Sequence, residues 1–167
     1  MPLPTVLTFP NPVNEKAARV VAGGVVVLGV VTLLTQQWWL AAVLAVGFAL
    51  RVAAGPRFSP LGRLAVHAIA PRLGAPRLVP GPPKRFAQAV GLAVSGGAAV
   101  AALGFGATGL ASVLVGVLVV FATLESALGF CAGCWAFGHL MRLGVIPEET
   151  CAACNDLTLR QRDPQPA

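Results

Sequence analysis

Charge is what this chain lacks. Only 11% of its 167 residues are Asp, Glu, Lys or Arg, against roughly 25% in an average soluble domain. With 56% hydrophobic residues and a mean hydropathy of +0.79, that shortage excludes a soluble globular enzyme, a disordered chain and a collagen-like fibre. Acid is scarcest, with 6 Asp and Glu against 12 Lys and Arg. No charge stands between Arg19 and Arg51, and only Glu125 stands between Arg85 and Arg142. Alternating strands of about ten residues are missing, which excludes a β-barrel. There is no Walker loop, Ser-His-Asp set, HExxH or dinucleotide fingerprint. Met1 to Pro12 is proline-rich and has no basic n-region, so no secretory signal peptide is expected.

What is present is two long apolar blocks. As one helix, Val20 to Leu50 would run about 46 Å at ~1.5 Å per residue, well beyond a hydrocarbon core of about 30 Å. Thr35-Gln36-Gln37 interrupts it, followed by Trp38-Trp39, a residue type that favours the membrane interface. The block reads as two spans, 17–34 and 38–54; the rival is a single long tilted helix that buries Gln36 and Gln37. The second block divides at the glycine-rich run from Gly104 to Gly109, giving spans 86–103 and 110–130. Ala87, Gly91, Ser95 and Ala99 recur every four residues. They form either a face for close helix approach or simply an alanine-rich helix.

The expected fold is an all-α membrane protein. Four transmembrane helices form two hairpins, with a short cytoplasmic amphipathic helix and a small cysteine-rich C-terminal segment. The organisation is an arm (1–16), a first hairpin (17–54), a basic connection (55–85), a second hairpin (86–130), a double-cysteine segment (131–154) and a flexible tail (155–167).

Orientation follows from charge. The Arg51–Arg85 stretch carries seven Lys and Arg and no acid, whereas the two opposite turns carry no charge. The positive-inside bias places a multi-pass protein in the cell membrane with both termini cytoplasmic. Within that stretch Pro60 to Ala70 reads as an amphipathic helix, on the membrane surface or packed beneath the bundle, stopped by Pro71. Gly81-Pro82-Pro83 reads as a stiff elbow. The seven cations are assigned to topology and to a partner, the lipid bilayer. With Phe58 and Phe86 only at its ends, the stretch is no nucleic-acid site.

All four cysteines lie in one pattern, Cys131-x2-Cys134-x16-Cys151-x2-Cys154. A cytoplasmic address disfavours permanent disulfides. Two such hooks match a zinc-ribbon spacing, which makes zinc the one cofactor the pattern suggests. An iron–sulfur cluster is not selected by it. His139 lies close enough in sequence to replace a sulfur. The same hooks suit redox work, in which one thiolate attacks a disulfide and its neighbour resolves the mixed disulfide. Either pair, Cys131/Cys134 or Cys151/Cys154, could do this, and two dithiols close together could pass electrons or a sulfane sulfur between them. Pro147-Glu148-Glu149 reads as a helix start with Cys151 in its first turns. Four inert buried cysteines is the bland alternative, made weak by the shared spacing.

Four segments carry a resemblance: Phe9-Pro10-Asn11-Pro12, Gly55-Pro56-Arg57-Phe58-Ser59-Pro60-Leu61, Pro83-Lys84-Arg85-Phe86-Ala87-Gln88 and Gly129-Phe130-Cys131-Ala132-Gly133-Cys134. Over residues 9–143 the chain resembles an uncharacterised bacterial membrane family of the domain-of-unknown-function class. Members of that family are associated with thioredoxin-like and rhodanese-type sulfurtransferase proteins. The resemblance therefore implies thiol or sulfur chemistry with a soluble partner of that kind, and Cys131 and Cys134 as the family dithiol.

Glu125 is the one carboxylate inside a span, which makes it a functional candidate. On an unbroken helix Cys131 would lie about 120° round from it and Cys134 on the opposite face. Glu125 therefore reaches the thiols only if the helix breaks near Gly129; the bland reading is a pair with Lys84, Arg85 or Arg51 near the cytoplasmic boundary. Two functions follow. One is a cytoplasm-facing dithiol centre for thiol–disulfide exchange or sulfur transfer. The other is a non-enzymatic membrane protein whose cysteines hold zinc. A transporter subunit, for which only Glu125 speaks, is a third.

Overall fold

The computed structural model describes residues 9–151. Four helical stretches in it are long and apolar enough to cross a bilayer: Glu15–Thr35, Trp39–Leu73, Gly81–Gly104 and Thr108–Leu128. This is the makeup of a multi-pass membrane protein.

Helix α1 (Glu15–Thr35) starts where the Asn14 side chain accepts the Lys16 N–H at 3.0 Å. It ends at Gln36, whose φ of 55° turns the chain and whose N–H donates to the Thr32 carbonyl. Helix α2 (Trp39–Ala54) follows at once. The single long helix is thus replaced by two, because the polar Gln36-Gln37 pair sits in the turn. Trp38 is buried against Ala41, Ala98 and Val115, while Trp39 is exposed, so only one of the two tryptophans is free to anchor at an interface.

Helix α3 (Pro60–Leu64) runs on through wide and tight turns to Leu73. Ala65 and Ala70 pack with Ala17 and Val21 of α1, so this segment lies under the bundle rather than apart from it. Its Lys16 clasp, an ammonium donating to the Leu73 carbonyl at 2.7 Å, holds the far end. A two-residue antiparallel pairing of β1 (Val13–Asn14) with β2 (Leu78–Val79) ties the arm to the end of the basic connection.

Helix α4 (Gly81–Ala99) begins five residues before the expected span. Pro82 and Pro83 form its first turn instead of an elbow. Proline is tolerated there, since those N–H groups have no helical acceptor anyway. Helix α4 is central, packing on α2, on α5 (Thr108–Leu128) and on α6 (Ala132–Arg142). The four-residue stripe is split between partners: Gly91 lies under the Phe48 ring of α2, and Ala87 meets α6. The other extensive pairing is α1 on α5. Arg19 closes that pairing, its guanidinium donating to the Ser126 and Ala127 carbonyls at 3.1 and 2.7 Å. A cation there answers the unpaired carbonyls and negative dipole end of α5.

Candidate dithiol site

The site is built by a helix break. Helix α5 stops at Leu128 because Gly129 adopts φ 71°, a left-handed conformation that suits glycine. Two residues later Cys131, in extended conformation, is the N-cap of α6. Its Sγ accepts the Cys134 N–H at 3.4 Å and the Cys134 S–H at 2.8 Å. The geometry that the Glu125 argument requires is therefore present.

Gly133, between the two cysteines, is a contact residue. A Cβ on it would lie 2.5 Å from the Ala87 Cβ and 2.6 Å from the Ala87 Cα. Only a bare glycine lets α6 sit this close to α4. Phe137 and Met141, one and two turns on, continue the contact, and Phe86 of α4 meets Phe137 with ring centroids 5.7 Å apart.

Beneath the dithiol lies an ion pair. The Lys84 ammonium donates to Glu125 Oε1 at 2.7 Å, with the two side chains only 7% and 15% exposed. Glu125 thus pairs with the first cation the sequence offers it. Nearby, buried Arg51 donates to Gln88 Oε1 at 2.7 Å and to Ser59 Oγ at 3.2 Å, and lies 4.5 Å over the Phe48 ring. Two of the seven connection cations therefore work inside the bundle. That corrects their assignment to topology and lipid alone. Lys84 was among the partners the sequence offered Glu125, whereas the bonds of Arg51 to Gln88 and Ser59 were not foreseen, because cations near helix ends ordinarily snorkel. Lys84, Phe86, Ala87 and Gln88 all fall in one of the family-like segments.

The two thiols are unequal. Cys131 is held below the ordinary thiol value, chiefly by the hydrogen bond from Cys134, with Lys84 acting in the same direction and burial and Glu125 opposing. Cys134 is pushed up, because it donates that bond and is buried. A thiolate at the start of α6 also meets the positive end of the helix dipole. Cys131 lines two cavities. One is polar-rimmed and includes Glu15, Arg77, Lys84 and Cys134. The other is apolar, lies among the spans and includes Glu125.

The second cysteine pair is only partly described. Cys151 ends a tight turn, Glu148–Cys151, rather than opening a helix, and is buried against Phe137 and Met141. It is disulfide-bonded, where a cytoplasmic address was expected to disfavour permanent disulfides. Cys154 and the tail lie outside the described residues. Among the described residues no three His, Cys, Asp or Glu form a group able to hold a metal. His139 is exposed and stacks on Trp135 at 4.1 Å.

No curated protein and no solved structure matches the chain. A family model does, over residues 13–142, which takes in the whole bundle, the Lys84–Glu125 pair and the first cysteine pair. The chain belongs to the domain-of-unknown-function family DUF4395.

Proposed function

We propose that this protein is a two-hairpin component of the cell membrane, with both termini cytoplasmic. Its Cys131/Cys134 dithiol exchanges electrons or sulfur with a soluble thioredoxin-like or rhodanese-like protein. The observation that carries the reading is the position of Cys131 as an N-cap whose sulfur accepts both donors of Cys134 at 2.8 and 3.4 Å. Two sulfurs at 2.8 Å need to close by less than about 1 Å to form a disulfide. Cys131, the lowered thiol, is the attacker, and Cys134 the resolver. In exchange, the Cys131 thiolate attacks a partner disulfide and releases one partner thiolate. Cys134 then attacks the mixed disulfide, releasing the second and leaving Cys131–Cys134 oxidised. In sulfur transfer, the Cys131 thiolate instead attacks the outer sulfur of a partner persulfide; the partner S–S bond breaks, the partner leaves as its thiolate, and Cys131 carries the persulfide.

The zinc reading rests on spacing alone. It needs thiolates from both hooks, at most one replaced by His139, and a sulfur already in a disulfide, as at Cys151, is not a thiolate.

The test is a trapping pair. Cys134→Ser should accumulate a covalent adduct with the soluble partner that dithiothreitol dissolves, and Cys131→Ser should accumulate none. If neither variant forms an adduct and the wild type holds one zinc per chain with no titratable thiol, the structural-metal function replaces this one.

A further inference from the structure

On the dithiol reading, the polar-rimmed cavity beside Cys131 is the side from which a soluble partner would approach. The other cavity has no role in that reaction. It measures about 500 Å³ and is walled by α1, α2, α4 and α5, with α6 across one end. Five of the chain's eleven Phe and Trp side chains line it: Phe48, Phe86, Phe121, Phe130 and Trp135. Its titratable lining groups are Glu125 and Cys131. Val90 of α4 and Val117 of α5 line it yet are 44% and 43% exposed, so it opens sideways between two spans. A solute dissolved in the bilayer reaches such an opening without passing through water.

We propose that this cavity binds a lipid-soluble quinone, which takes the two electrons of the Cys131/Cys134 dithiol. The proposal rests on the dithiol reading above. Run in reverse, the exchange above lets a reduced partner dithiol return the Cys131–Cys134 disulfide to two thiols. Those two electrons need an acceptor before the pair can act again, and a quinone is an acceptor that dissolves in the membrane. Its flat ring suits an aromatic-lined cavity, and its hydrocarbon tail suits the opening toward lipid. Gln88 lines the cavity too; with its Oε1 taken by Arg51, its side-chain NH₂ is left to donate to a quinone carbonyl. A phospholipid acyl chain fits the apolar walls, but offers nothing that answers a thiol and a carboxylate at one end.

The step balances. The Cys131 thiolate adds to a ring carbon, forming a C–S bond and moving an electron pair onto the ring. Cys134 then attacks Cys131 Sγ, forming the S–S bond and breaking the C–S bond. The ring leaves as hydroquinone with the two protons the thiols gave up. In sum, two thiols and one quinone become one disulfide and one hydroquinone.

The experiment uses full-length reduced protein in lipid nanodiscs, free of oxygen, with a decyl-tailed benzoquinone followed by ultraviolet absorbance. One hydroquinone should form per dithiol lost. Val90→Trp and Val117→Trp, both at exposed positions on the rim, should slow this roughly tenfold while leaving exchange with a small water-soluble disulfide unchanged. Wild type that exchanges with the soluble disulfide yet does not reduce the quinone overturns the inference and spares the dithiol reading. So does reduction at the same rate in both Trp variants, or a cavity found filled by phospholipid with no quinone turnover. Failure of both reactions in the wild type removes the dithiol reading as well.

Discussion

Cys131 and Cys134 differ only in what surrounds them, and the difference is measurable. Because Cys131 lies below the ordinary thiol value and Cys134 above it, alkylation near neutral pH should label Cys131 first. Its pH midpoint should fall below the free-cysteine value of about 8.5. Peptide mass spectrometry after timed iodoacetamide exposure reads both rates; equal rates with a common midpoint near 8.5 would sink the assignment. The same shift carries a stability consequence with a definite sign. A depressed acid contributes stability that is fully present above its unfolded value and is lost as pH falls through its folded value. The reduced protein should therefore lose stability on acidification through the Cys131 transition. Glu125 and Lys84 test the electrostatics separately. Glu125→Gln leaves a buried ammonium unpaired, a loss of about 3–5 kcal/mol. It also removes a charge that opposes the Cys131 thiolate, so the variant should be less stable and alkylate faster. Unchanged stability with lost thiol reactivity would make Glu125 a proton relay instead.

Helix α6 depends on one missing methyl group. Gly133→Ala puts a Cβ against Ala87 backbone and side chain, neither of which is the end of a flexible chain. Overpacking of this kind costs about 1–3 kcal/mol. The expected result is a less stable protein whose Cys131 midpoint returns toward the ordinary thiol range, because α6 has moved away from Lys84. Thermal unfolding and the alkylation profile together check it; a stable variant with an unshifted profile would show that the α4–α6 contact does not tune the thiol. At this scale much was legible in advance. The break at Gly129, the divided first block and the glycine-rich turn after Leu103 were all marked by polar or glycine residues in apolar runs. The Pro82-Pro83 turn was misjudged, because the same dipeptide suits an elbow and a helix start, and only the acceptors around it distinguish them.

Across the whole molecule, charge arrangement makes a topological prediction. Tags at residue 1, beside Gly74 and at residue 167 should all report cytoplasm, and tags beside Gln36 or Gly106 the opposite side. Opposite reports from residue 1 and Gly74 would break the two-hairpin arrangement. The structure adds a reason for Gly74 and the N-terminal arm to report together. Lys16 binds the Leu73 carbonyl, the Glu15 N–H donates to the Arg77 carbonyl at 2.8 Å, and Arg77 pairs with Glu15 at 3.0 Å. These contacts join the arm to the central connection at one end of the bundle.

What this sequence determined by itself was the set of elements and the kind of chemistry. Apolar runs of span length, bounded by cations and interrupted by glycine or glutamine, leave helices across a bilayer as the economical way to pair every backbone group. Clustered cysteines at a repeated spacing singled out the only strong nucleophiles. What tertiary structure decided was which thiol is acidic, which cation serves Glu125 and which glycine is a contact. It also decided that Cys131 faces both a polar opening and a cavity among the spans. The Cys131 shift begins with the hydrogen bond from Cys134, three positions on, that the helix break creates; the rest depend on distances between residues more than forty positions apart, Lys84 from Glu125 and Ala87 from Gly133. Such distances follow from how α4 packs against α5 and α6, and local periodicity carries no record of them.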